Sequence, residues 1–78
     1  MGVRGEIRAV FEHALKLTRQ YGECSAYLYE NQEDPDWNDL DEKTKEIGNR
    51  LGTARYELAE TCGVEEWEAS KILTEVSA

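Results

Sequence analysis

Apolar or small residues recur along the first part of the chain at Val3, Ile7, Val10, Ala14, Leu17, Tyr21, Cys24 and Leu28, in alternating steps of four and three. Side chains spaced in this way share one face of an α-helix, whose turn takes 3.6 residues. The register predicts one long helix from about Val3 to about Tyr29, with Phe11 and Leu15 widening the apolar stripe. Gly22 is its weak point, because glycine inside a helix costs up to about 1 kcal/mol relative to alanine. A break at Gly22, giving two shorter helices, is the competing expectation.

Glu30-Asn31-Gln32-Glu33-Asp34 interrupts the pattern and reads as a polar loop. Asp34-Pro35 suits a helix start, since aspartate can cap free amides and proline needs no donor at the first helical position. A second seam runs through Trp37, Leu40, Thr44, Ile47, Leu51, Ala54, Leu58 and Thr61, and Gly63 is placed to close that helix in a left-handed conformation. Residues 64–77 read as a short third helix. Its Ala69, Ile72, Leu73 and Val76 share a face, while Val64 and Trp67 point nearly the other way. Trp67 therefore either packs on the open end near Val3 and Ile7, or in a second subunit, or stands exposed among glutamates as an interface anchor.

Two helices of similar length joined by a short loop should fold back on each other. The expected fold is all-α, one domain over residues 1–78: a long antiparallel helical hairpin with a short third C-terminal helix near its open end. A two-helix seam covers one side of each helix only. Phe11, Leu15 and the close-approach glycines Gly48 and Gly52 are accordingly expected to face a second subunit, giving a homodimeric helical bundle.

Charge alters the picture. The net charge of −8 is unevenly spread: residues 1–22 contribute +2, 43–56 contribute +3 and 57–78 contribute −5. Residues 23–42 contribute −8, with eight acids and not one Lys or Arg. In the hairpin, Arg4 and Arg8 should lie near Glu57 and Glu60, Glu12 near Arg55, and Glu23 near Lys43. Such pairs are each worth about 0–1 kcal/mol. The acids at the bend have no such partners. A sequence pI near 4.5 argues against direct binding to nucleic acid or anionic lipid. No apolar run is long enough to span a membrane, and the start lacks a signal-peptide pattern, so a cytoplasmic location is expected.

Residue patterns that announce chemistry are weak here. Asp34-x-Asp36-x-Asn38 begins like a calcium loop, but Asp39 stands where glycine is required and Lys45 where glutamate is required. Pairs such as Glu30/Glu33, Asp36/Asp39 and Glu57/Glu60 resemble the helical carboxylate clusters of magnesium-dependent nucleotide pyrophosphohydrolases, yet they lie at opposite ends of a hairpin. Cys24 and Cys62 are too far apart for a disulfide and read as buried free thiols. His13 lies about 16 Å of helix from Cys24, so no nucleophile pair forms. No cofactor, metal or catalytic residue is implied.

Leu58-Ala59-Glu60-Thr61-Cys62-Gly63-Val64, followed by Ala69 and Ile72, resembles the helix-turn-helix signature of DNA-binding regulators. The helix that would read DNA opens Glu65-Glu66-Trp67-Glu68, with no arginine for guanine. In size and charge the chain also resembles small acidic helical proteins made by phages against bacterial defence systems. The expected role is a non-enzymatic protein-binding module or inhibitor. Its contact residues would be Glu30, Glu33, Asp34, Asp36, Asp39, Asp41, Glu65, Glu66, Trp67 and Glu68, meeting a basic surface of a partner such as a nucleic-acid-binding protein, where carboxylates replace phosphates. The alternative is a DNA-binding regulator using residues 58–73.

Overall fold

The computed structural model describes the backbone of residues 2–77 and the side chains of residues 5–77. Among these residues the chain forms three helices and no strand: α1 Gly2–Glu30, α2 Trp37–Cys62 and α3 Glu66–Ser77. α1 and α2 pack along each other as a helical hairpin, and α3 touches both. The molecule measures 48 × 19 × 19 Å. The 29 residues of α1 account for about 43 Å at 1.5 Å each, so the length of the protein is the length of one helix. α1 passes through Gly22 unbroken. No helix is long and apolar enough to cross a membrane.

The core draws on all three helices: Ala14 and Leu17 from α1, Leu51, Ala54, Leu58 and Ala59 from α2, Ala69 and Leu73 from α3. Half of these residues are alanines, whose small side chains let three helix backbones close up. Leu73, 1% exposed, is the largest fully buried side chain. Phe11 and Leu15 pack against this cluster from within the same chain. A Cβ at Gly48 would come 2.8 Å from Cε1 of Tyr21, so the close approach allowed by Gly48 is filled by that ring; a Cβ at Gly52 would meet nothing within 4 Å. Phe11, Leu15 and Gly48, three of the four residues expected to face a second subunit, are thus engaged internally.

α3 corrects a second expectation. From the Gly63 corner the helix runs back along the shaft, where Ser77 shares a surface depression with Thr18, Arg19, Gly22, Glu23 and Ala26 of α1, and fewer of its apolar residues are buried than the shared face implies. It docks through Ala69 and Leu73, one turn apart, and leaves Ile72 at 44% and Val76 at 48% exposure. The four apolar residues share a broad face, but a 12-residue helix laid in one groove buries a narrower stripe.

Gly63 turns the corner between α2 and α3 at φ 69°, ψ 32°, a left-handed conformation that glycine adopts without steric cost. The Val64 N–H donates to Ala59 O (3.0 Å) and the Gly63 N–H to Glu60 O (3.3 Å). This paired pattern satisfies the last carbonyls of α2, and it turns Val64 onto the core.

The ion pairs expected across the hairpin do not form among the described residues. Arg8–Glu12 (3.0 Å), Lys45–Asp41 (3.2 Å) and Arg50–Glu46 (3.1 Å) all lie within one helix, one turn apart. Short reach along a single helix orders fewer side-chain torsions than reach across two. The Arg4 pairing lies outside the described side chains.

Candidate functional site: an acidic tip and the groove beside it

A helix ends with carbonyls that have no partner within it, and the tip is built around satisfying those of α1. Tyr27 O accepts from the Asn31 backbone N–H (2.9 Å) and from Asn31 Nδ2 (2.8 Å). Tyr29 O accepts from Gln32 Nε2 (3.3 Å). Leu28 O accepts from the indole Nε1 of Trp37 (2.9 Å), so the first residue of α2 staples the end of α1.

The chain then reverses in a tight turn. Asp34 N–H donates to Asn31 O and Trp37 N–H to Asp34 O, both at 3.0 Å. Pro35 takes the second position of the second turn, and Asp36 sits at φ −95°, ψ 13°, the values of the third position of a type I turn. The helix therefore begins two residues later than the Asp34-Pro35 pair implies. Asp34 does not cap α2. Its Oδ1 accepts from the Asp36 N–H (2.8 Å) and its Oδ2 from the Tyr27 hydroxyl (2.7 Å). Asp36 holds the cap position without a side-chain hydrogen bond.

These bonds shift two titrations. The Tyr27 hydroxyl, helped by the Asp36 amide, holds the Asp34 carboxyl below its ordinary value. The same bond, reinforced by the Asp34 charge, raises the Tyr27 phenol. Hydrogen bonding to Glu60 likewise raises Tyr56, on the far half of α2.

The ten residues expected to contact a partner fall into two groups. Glu30, Glu33, Asp36 and Asp39 are exposed around the tip and make no ion pair among the described residues. Asp34 is committed to the turn, and Asp41 is paired with Lys45. Glu65, Glu66, Trp67 and Glu68 lie at the start of α3, beyond the 26 residues of α2, about 39 Å from the tip. Glu68 bends back to accept from the Glu65 N–H (3.4 Å), and Trp67 is 66% exposed rather than packed. Its expected contact with Val3 involves a side chain outside the described residues.

Beside the tip, α1 and α2 leave an open apolar groove of about 450 Å³, lined by Glu23, Cys24, Tyr27, Leu28, Leu40, Lys43, Thr44 and Ile47. Leu28 and Thr44 are buried at its floor, and Tyr27 stands at its edge, 45% exposed. Heptad reading misses both Tyr27, which lies off the seam, and the groove. The polar indole of Trp37 at a seam position is the one available signal, because an indole N–H taken toward an interior demands an acceptor.

Other chemistry does not assemble. Among the described residues, no three His, Cys, Asp or Glu side chains are grouped to hold a metal ion. Both cysteines are free, but Cys24 is only partly buried and Cys62 is exposed, contrary to the expectation of buried thiols; Cys62, in the last turn of α2, precedes the corner and has no third helix over it. His13 is exposed. Neither a protein-family model, nor a curated protein, nor a solved structure matches the chain.

Proposed function

We propose that this protein is a non-enzymatic binding module that presents its acidic tip to a basic surface of another protein, as an inhibitor whose carboxylates occupy sites otherwise used by nucleic-acid phosphates. One observation supports this reading above the others. Glu30, Glu33, Asp36 and Asp39 are exposed and make no ion pair among the described residues, on the loop and on the helix ends flanking it, which are ordered by hydrogen bonds to backbone carbonyls and to Asp34. A charged surface that is already ordered loses little entropy on docking, and uncompensated charge of one sign speeds encounter with the opposite sign. Solubility alone calls for no such ordering.

The DNA-binding alternative gains nothing from the corner at Gly63. The outer face of α3 offers Trp67, Glu68, Lys71, Ile72 and Glu75, one cation among two acids, preceded by Glu65 and Glu66. Phosphates would be repelled.

The test is capture from source lysate by the immobilised protein, treated with nuclease, at low and high salt. The expected result is retention of a basic protein at low salt, its loss at high salt, and its loss from a Glu33→Lys, Asp36→Lys, Asp39→Lys variant. The captured protein should also release labelled DNA or RNA when the acidic module is added. Capture that survives the triple charge reversal would refute the reading.

A further inference from the structure

We propose that the groove between α1 and α2 beside the tip seats a cationic amphipathic helix of the partner, read by its apolar stripe as well as its charge. This deepens the acidic-tip reading and rests on it. The shared core ends near Leu17 and Leu51, and the 12 residues of α3 reach only about 18 Å along a shaft of about 43 Å. The groove is lined by α1 and α2 alone. α3 ends at Ser77 beside Gly22, Glu23 and Ala26 and contributes no lining residue, so the groove itself is a two-helix layer without the third helix that closes the core.

The shape of the occupant follows from that arrangement. A furrow between two packed helices accepts a third helix, whose apolar residues one turn apart enter it. The chain does this to itself lower down, where Ala69 and Leu73 of α3 seal the core.

The charge of the occupant follows from the sequence. The lining itself holds one acid, Glu23, and one cation, Lys43, but the groove adjoins the stretch 23–42, which holds eight acids and no Lys or Arg. A second copy seated groove to groove would oppose two such stretches. The C-terminal segment 57–78, at −5, is no better suited. A partner helix bearing Lys or Arg beside Leu or Ile satisfies both the furrow and its rim. Tyr27 couples the two features: the carboxylate of Asp34 in the tip holds the phenol that edges the groove, at 2.7 Å.

The probe is a synthetic helix of about 14 residues, roughly four turns, with leucines on one face and lysines on the other. Its control has the same composition in an order that spreads the leucines around the helix. Titration into the labelled protein, followed by NMR, should shift Cys24, Leu28, Leu40 and Ile47, and the control should bind about tenfold more weakly, the factor expected for about 1.4 kcal/mol of lost apolar contact. Leu40→Gln, checked for folding by circular dichroism, should weaken the amphipathic peptide severalfold and leave the control unchanged. Equal binding of the two peptides, with shifts confined to residues 30–39, overturns the groove and leaves the acidic tip standing. Failure of both peptides at low salt overturns both readings. Self-association that shifts the same groove residues makes a second copy the occupant and overturns the proposal.

Discussion

Ile72 and Leu73 are neighbours of similar volume on α3, and the structure assigns them opposite energetic weight. Leu73 is 1% exposed and Ile72 is 44% exposed. Truncating a fully buried leucine to alanine costs about 2–5 kcal/mol, from lost transfer energy plus the cavity left behind. A domain of 78 residues has a total stability of about 4–12 kcal/mol, so Leu73→Ala removes a large fraction of it. At about 4–8 °C per kcal/mol for a domain of this size, the midpoint should fall by at least about 8 °C. A half-exposed isoleucine forfeits about half of the 1.5–3 kcal/mol that full burial supplies, and alanine returns part of that through better helix propensity. Ile72→Ala should therefore cost no more than about 1 kcal/mol. Urea titrations followed by circular dichroism measure both variants, and the slope with denaturant should stay constant so that midpoints compare directly. Equal losses at the two positions would mean that α3 docks with a different face, and the narrow Ala69–Leu73 stripe would be wrong.

Three further outcomes test the tip and the shaft. Trp37→Phe keeps the aromatic bulk but leaves Leu28 O without its donor, so it should destabilise by about 1–2 kcal/mol, read by urea midpoint. The Tyr27–Asp34 bond should strengthen the fold only in a middle window of pH. Asp34 is depressed below its ordinary 3.8, so its contribution is complete above that value and is lost as pH falls through the lowered folded pKa. Tyr27 is raised above its ordinary 10.0, so its contribution is complete below 10.0 and is lost as pH rises through the raised folded pKa. NMR titration of Tyr27→Phe should return Asp34 toward its ordinary value; an unchanged Asp34 would leave that account without a cause. Gly22→Ala meets no atom within 4 Å and should stabilise by about 0.5–1 kcal/mol. Gly48→Ala should gain less, because its Cβ must displace the Tyr21 ring, and the difference should vanish in a Tyr21→Ala background.

The hairpin was readable because helix period and loop composition are local properties. Unbroken steps of three and four over Val3–Leu28 and Trp37–Thr61, with a polar run between them, leave few other solutions. Gly63 was readable for the same reason, since a left-handed residue after a helical run has few other uses. The uneven charge was plain from counting. Gly22 was ambiguous, because propensity taxes a glycine within a helix while packing of the surrounding turns decides whether the helix survives it.

What the linear pattern left open was every choice between partners of equal chemical merit. Periodicity marked Ala69, Ile72, Leu73 and Val76 as one face, but only the docking of α3 into its furrow selected Ala69 and Leu73. Charge spacing offered cross-hairpin ion pairs, and rotamer entropy favoured pairs along one helix. Phe11, Leu15 and Gly48 were marked as surfaces in need of cover, and the core beneath α3 and the ring of Tyr21 supply part of it. Asp34 was expected to cap α2, but the turn geometry turned it to Tyr27 and the Asp36 amide. The sequence alone determined the helices, the Gly63 corner and the acidity of the bend, all set by neighbours along the chain. The tertiary structure decided which faces are buried, which acids are free and where a groove remains, because those depend on residues that meet only when three helices compete for the same contacts.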